Sequence, residues 1–329
     1  MSKNIFHYTK DENFLNIINE CKFRAVLSTQ SNDYKDTILL NELLIESTKD
    51  IIEEVLRDSD YFTLDGLIKI LNDLFTQFNN DRKSNFSDDE KSRKCFVVCF
   101  TDKKDSRFLW NSYTKNEGVN IKFDYTSLKS NMEEYSKNQR TFEYFKLEQV
   151  IYDYKEQIRM VKKIVNKNYN LYMKSSDDSL SNMSMLTGHK INFTDTNGNI
   201  LYRGNTSNYL ITLKKSFVDF AIQTINQLLD LAPYIKHSFW EEEREYRLTL
   251  YRAIKCEYLS DVLIDMKKDD KGNKIIYHYI ELPYDKELIK EVKIGPLSRF
   301  TKDDLNHEDK NIHEDCIVSE SSGKGVLKY

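Results

Sequence analysis

The segment F-W-E-E-E-R-E-Y-R-L-T-L at 239–250 places the tightest constraint on the fold. From 243 onward it alternates: Tyr246, Leu248 and Leu250 share one face of an extended strand, while Glu243, Glu245, Arg247 and Thr249 take the other. The spacing predicts a strand over 243–251 with two carboxylates about 7 Å apart on one face. Their repulsion requires Arg247, solvent or a bound electrophile as compensation. An exposed, salt-bridged sheet face is the plain account of this pattern. Charge gathered at the start of a strand also suits a reactive site.

The rest of the chain supplies a sheet for this strand. Ile5–Thr9 reads as the first strand, and T-K-D-E from Thr9 to Glu12 as a capping box opening a helix with Phe14, Ile17, Ile18 and Cys21 at helical spacing. Further strands are expected at 95–100, 119–124, within 145–154, at 274–281 and at 289–296, with S-N-D at 31–33 as a turn. Helices are expected at about 105–113 and at 216–231, the latter stopping before Pro233. The region 36–78 is helical in pattern and closes with a polar run, predicting a helical hairpin inserted at 36–92 that covers the sheet or meets a partner. Segment 175–208 carries loop and small-hairpin signals. The expected fold is α+β: one domain over 1–329 with a mixed sheet, elaborated by that insertion.

Charge and composition remove several function classes. The 49 Lys and Arg against 53 Asp and Glu leave a net charge of −4 over 329 residues, which excludes a globally basic nucleic-acid coat but not a local basic groove. No apolar run approaches the roughly 20 residues of a membrane span, so a soluble, cytoplasmic protein with no membrane partner is expected. The five cysteines are odd in number and scattered, which fits reduced thiols. Cys95 and Cys99 lie roughly 13 Å apart along a strand, too far to share a zinc ion easily. The six histidines form no strong ligand set, and H-E-D-K-N-I-H-E-D-C at 307–316 suits a solvated helix and loop, so no metal is expected. Neither G-x-G-x-x-G nor the Walker-type phosphate loop occurs.

Two more segments hold candidate site residues. In F-H-Y-T at 6–9, His7 and Thr9 face one way and Phe6 and Tyr8 the other. A lone histidine of this kind is most often structural. In R-F-L-W-N-S-Y at 107–113, Trp110 and Tyr113 are three apart on a helix, placed to stack on a planar ligand or to fill the core. The Lys-rich stretch 162–174 interleaves basic and aromatic residues, compatible with single-stranded nucleic acid and equally with a solvated amphipathic helix.

Taken in order, these motifs resemble the bacterial domain-of-unknown-function family 2971. The resemblance rests on His7, Tyr8 and Thr9; Asn32 and Asp33; Cys99 and Phe100; Leu109, Trp110 and Tyr113; Gly118 through Asp124; Trp240, Glu243, Glu245, Tyr246 and Arg247; and Val292, Ile294, Gly295 and Pro296. It spans nearly the whole chain, with 36–92 as elaboration. More distantly, an early histidine, central aromatics and a late glutamate are similar to the H-Y-E arrangement of ADP-ribosyltransferases. That resemblance implies a split, mixed β-sheet clamping NAD as substrate, and either ADP-ribosyl transfer or NAD glycohydrolysis. It implies a hydrogen bond from ribose or the nicotinamide amide to His7, with Tyr8, Thr9 and Trp110 in the cofactor site. Tyr113 would stack on nicotinamide, Glu245 or Glu243 would be the catalytic acid, and Arg107 or Arg247 would neutralise pyrophosphate. The tyrosine assignment stays open among Tyr8, Tyr113 and Tyr125, and no clear R-S-E run is present. The acceptor would be a protein or nucleic acid, in a bacterial defence or toxin setting. A non-catalytic nucleotide-binding or sensing module and a nucleic-acid-binding nuclease using Glu243 and Glu245 are the alternative readings.

Overall fold

The computed structural model describes residues 3–28, 39–40, 42–47, 93–138, 144–173, 180–186, 192–194, 200–203, 208–253, 262–268, 274–305 and 312–325. Apart from 39–40 and 42–47, which are helical, the hairpin expected at 36–92 lies outside the described residues, as do the 31–33 turn, Cys256, 307–311 and much of 175–208. The chain divides into two compact units: Met1–Asn32, Ser87–Val150 and Phe239–Tyr329 make the first, and Asp33–Phe86 with Ile151–Ser238 the second.

The first unit begins with β1 (Asn4–Lys10), α1 (Asp11–Glu20), β2 (Lys22–Leu27), β3 (Arg93–Thr101), α2 (Arg107–Thr114), β4 (Gly118–Asp124), α3 (Tyr125–Asn138) and β5 (Tyr144–Gln149). The second unit holds α4 (Tyr154–Met173), β6 (Leu180–Leu186), β7 (Asn192–Thr194), β8 (Ile200–Arg203), β9 (Asn208–Lys214) and α5 (Lys215–Leu231). The first unit resumes with β10 (Glu245–Ala253), β11 (Leu263–Lys268), β12 (Lys274–Pro283), β13 (Ile289–Ile294), α6 (Lys302–Leu305) and β14 (Ile317–Glu320).

Ten of these strands form one sheet in the first unit, ordered β11-β12-β2-β3-β1-β4-β13-β14, with β10 pairing both β3 and β5. The β13–β14 pair is parallel and its neighbour β13–β4 antiparallel, so the sheet is mixed and the class is α+β. In β4, Val119, Ile121 and Phe123 are fully buried, as the period-two pattern requires, but Asn120 is buried as well. Its Nδ2 donates to the Lys104 carbonyl at 2.7 Å, which anchors the loop before α2.

The sheet is divided along one edge of β3. Strand β10 follows β3 from Arg93 to Thr101. On the opposite edge β2 pairs with Phe96 and Val97, while β1 pairs only at Phe6↔Thr101. Those two contacts bracket residues 98–100 of β3. Strands β1 and β2 part there, and α1 connects them.

Two glycines explain how α2 and β13 close over the start of β4. A Cβ on Gly118 would sit 2.2 Å from the Thr9 carbonyl oxygen, and one on Gly295 would sit 2.4 Å from the Gly118 oxygen and 2.9 Å from Trp110 Cζ3. The Gly295 amide donates to the Gly118 oxygen at 2.8 Å, so only hydrogen fits between the backbones. The glycines of G-V-N-I-K-F-D and of V-K-I-G-P therefore make a single contact.

Two local expectations are corrected. Thr9 does not cap α1, because it remains in β1 opposite Val119; Lys10 is the N-cap and makes no side-chain cap bond. The strand expected from Glu243 begins at Glu245, since Ser238–Glu243 forms a 3-10 helix and Arg244 has φ 45°. That left-handed residue breaks the alternation, and Glu243 leaves the face it was expected to share with Glu245 and Arg247.

In the second unit α4 buries Val161, Val165 and Tyr169, with Lys162, Lys163 and Lys167 exposed, the pattern of an amphipathic helix. Helix α5 packs on it through a ring contact between Tyr169 and Phe220 and a bond from Asn168 Nδ2 to Thr224 Oγ1 at 3.1 Å. Strands β6 and β9 pair antiparallel, as do β7 and β8.

Candidate functional site

Where β1 leaves β3, a cleft of about 50 Å³ opens, and His7, Tyr113 and Glu243 all line it. Beside the end of β3, three further stretches of chain meet there: β1, α2 and the 3-10 helix before β10. Thr101, at the end of β3, holds the third in place. Its Oγ1 donates to the Glu243 carbonyl at 2.6 Å and accepts the Lys103 amide at 3.1 Å.

Alternation along β1 sends Phe6 and Tyr8 towards α2, where they form a buried cluster with Leu109 and Trp110, and Tyr113 packs against that cluster. His7 takes the opposite face, its ring 5.8 Å from Phe23 and 5.5 Å from Phe100. The cleft is thus bounded by residues from both faces of the sheet, which the divided edge of β3 makes possible.

His7 Nδ1 lies 2.8 Å from the Cys99 carbonyl oxygen, in the stretch of β3 between its contacts with β2 and β1. A carbonyl only accepts, so Nδ1 carries the proton and the neutral ring leaves Nε2 as an acceptor. Among the described residues Nε2 has no protein partner. Burial lowers the His7 pKa from the ordinary histidine value, outweighing the opposing effect of the Cys99 bond, so the ring is neutral at pH 7.

Tyr113 donates its hydroxyl to Glu243 Oε2 at 3.1 Å. Glu243 is 5% exposed, and its neighbour Arg244 turns outward to an ion pair with Asp102 at 2.8 Å. The φ of 45° at Arg244 is what sends these adjacent side chains in different directions. Glu245 is engaged elsewhere. Arg247 grips it with two bonds, Nε to Oε1 at 2.9 Å and Nη2 to Oε2 at 3.0 Å, and both residues are buried. This bidentate pair supplies the compensation that the sequence pattern demanded.

The other candidates have defined places. The Tyr8 hydroxyl donates to the Lys103 carbonyl at 3.1 Å and accepts the Ser106 amide at 3.0 Å, and burial pushes its pKa up to about 12. Tyr8 lines the cleft while bracing the loop before α2. Trp110 is 1% exposed, stands edge-on to Tyr8 at 4.7 Å, and donates Nε1 to Asp105 at 2.7 Å. It is the buried support of α2 rather than a lining residue. Thr9 is buried against Gly118. Tyr125 donates to the Leu147 carbonyl at 2.7 Å and lies edge-on to Tyr246. Arg107 lies on the opposite face of α2 from Tyr113 and lines a different cavity, with Phe108, Asn111 and Asn116.

Thr101 and Arg244, which position Glu243 through a side chain and a backbone angle, are not among the candidate site residues of the sequence. The only sequence trace of that angle is a run of three glutamates too charged to continue a half-buried strand. Among the described residues no group of three or more His, Cys, Asp or Glu is placed to hold a metal ion, and no helix is long and apolar enough to cross a membrane.

No curated protein and no solved structure matches the chain. A family model does match, over residues 109–248, which run from the first residue of L-W-N-S-Y through G-V-N-I-K-F-D to the strand after Trp240. The motifs at 7–9 and 292–296 lie outside the matched stretch, yet Tyr8 and Gly295 both pack against Trp110 within it. Over that stretch the chain is similar to the family described as protein of unknown function (DUF2971).

Proposed function

We propose that the cleft at His7, Tyr113 and Glu243 cleaves the glycosidic bond between ribose and nicotinamide in NAD, with water or an acceptor nucleophile taking the ADP-ribosyl group. The observation that carries this reading is the convergence of a neutral histidine, a tyrosine and a nearly buried glutamate where the sheet divides. In the reaction the C1′–N bond breaks, its electron pair leaves with nicotinamide, and positive charge develops on the ribose. The Glu243 carboxylate stabilises that charge because it interacts more strongly with the cationic transition state than with neutral ribose. Tyr113 supplies a ring to hold the nicotinamide plane. His7 Nε2 accepts a hydrogen bond from a ribose hydroxyl or the carboxamide, so the residue orients the substrate and transfers no proton.

Glu243 takes the acid role in preference to Glu245, whose two oxygens are both held by Arg247. A cleft of about 50 Å³ is far below the roughly 300–1,000 Å³ of a ligand pocket. NAD binding therefore widens it by parting Tyr113 from Glu243, and each gains a ligand contact in exchange. Incubating the full chain with NAD and following free nicotinamide, together with mass increase on protein, DNA and RNA, tests the reading. Nicotinamide release that depends on Glu243 is expected, and its complete absence at micromolar enzyme overturns the proposal.

A further inference from the structure

Helix α2 has a second functional-looking face. Successive residues of an α-helix are turned by about 100°, so Arg107, Phe108 and Asn111 share a side opposite Leu109 and Tyr113. On that side lies an open cavity of about 390 Å³ lined by Arg107, Phe108, Asn111 and Asn116, within the size range of small-molecule sites and far larger than the cleft. It is separated from the cleft by the body of the helix, roughly 10 Å across.

The chemistry of this lining is specific. The Arg107 guanidinium is exposed, and no described residue bonds to it. Phe108 is 36% exposed, an aromatic face left open to solvent beside a guanidinium. The two asparagines meet through one long contact, Asn116 Nδ2 to Asn111 Oδ1 at 3.4 Å. That leaves the Asn111 amide group as a donor and Asn116 Oδ1 as an acceptor without partners among the described residues. Asn116 is held in place by its backbone: φ is 67°, its amide donates to the Trp110 carbonyl at 2.8 Å, and its own carbonyl accepts the Leu297 amide at 2.9 Å. An unpaired fork of donors, an open ring and a fixed donor–acceptor pair are the groups that bind a phosphate, stack a base and read its edge.

We propose that this cavity binds a nucleoside phosphate, with Arg107 on the phosphate, Phe108 stacked on the base, and Asn111 with Asn116 on the base edge. The inference does not depend on NAD cleavage in the cleft. Two sources share this chemistry, a free nucleotide and one nucleotide of a single strand, and they are separated by the probe used.

The test is equilibrium binding of the full chain to AMP and, separately, to a fluorescein-labelled single-stranded dodecanucleotide, with Arg107→Gln, Phe108→Ala and Glu243→Gln variants. At least one probe is expected to bind wild type, with affinity falling tenfold or more in each of the first two variants and unchanged in Glu243→Gln. AMP binding alone identifies a free nucleotide, and oligonucleotide binding that weakens with salt identifies a strand. Either outcome supports the site. Failure of both probes to bind at millimolar concentration, or binding insensitive to Arg107→Gln and Phe108→Ala, overturns it. Arg107 and Phe108 are exposed on the helix, so these variants leave the core intact. Arg107-dependent binding without nicotinamide release sinks only the catalytic proposal, while nicotinamide release without such binding sinks only this one.

Discussion

Tyr113 on α2 donates its hydroxyl to Glu243 Oε2 at 3.1 Å, which joins the helix to the 3-10 helix before β10 in the cleft that both residues line. In the proposed reaction this bond must break before NAD can bind. Tyr113→Phe keeps the ring and removes the latch, so KM for NAD is expected to fall about two- to tenfold, the equivalent of one hydrogen bond of about 0.5–1.5 kcal/mol, with little change in kcat. Tyr113→Ala removes the ring as well, and kcat/KM is expected to drop. Steady-state kinetics of nicotinamide release checks both, and a Phe variant with raised KM contradicts the latch.

Arg247 and Glu245 form a buried bidentate pair with a structural role. Removing one partner leaves a buried charge, so Arg247→Ala is expected to lose about 3–5 kcal/mol of stability. Replacing the pair together, as Glu245→Leu with Arg247→Met, is expected to recover most of that loss. Urea unfolding of the two variants measures the difference, and a double variant as unstable as the single one contradicts the assignment.

Acid should destabilise the fold through His7. Its pKa is lowered by burial in the folded chain. Above the unfolded value of about 6.5 both states are neutral and the contribution is fully present. As pH falls below that value the unfolded chain takes a proton first, and the stability is lost as pH drops through the lowered folded pKa. His278, also lowered by burial and by Lys94, adds in the same direction. Stability is expected to fall below pH 6.5 by at most about 1.4 kcal/mol per pH unit for each proton, and His7→Gln should flatten that slope. Unfolding midpoints between pH 5 and 8 provide the check.

Gly295→Ala should strain the support of α2, because the added Cβ would meet the Gly118 oxygen at 2.4 Å and Trp110 at 2.9 Å. A loss of about 1–3 kcal/mol is expected, with a shift in Trp110 fluorescence. A variant of wild-type stability would show that β13 and β4 can separate at no cost.

Much of the sheet was legible because its strands alternate cleanly. Gly118–Asp124 forms β4 as expected, and the helix around Trp110 and Tyr113 forms at 107–114. Helix α3 was not foreseen, since only Leu128 and Met132 are buried along its 14 residues and the apolar stripe is too thin to register. The site was half legible. His7 and Tyr113, both expected among the site residues, line the cleft, and of the two candidate acids Glu243 lines it while Glu245 does not. A period-two argument assumes an unbroken strand, and the left-handed φ of Arg244 moves one carboxylate to the cleft while the other stays with Arg247. Nor does spacing reveal that β1 and β2 divide one edge of β3, because pairing at a few positions follows from packing over long sequence separations.

The central claim is that Glu243, not Glu245, stabilises the ribosyl transition state. Nicotinamide release from NAD should be compared in Glu243→Gln and Glu245→Gln, each corrected for its folded fraction. A loss of about a hundredfold or more is expected for Glu243→Gln, and a rate within tenfold of wild type for Glu245→Gln. Undiminished release by Glu243→Gln would contradict the account.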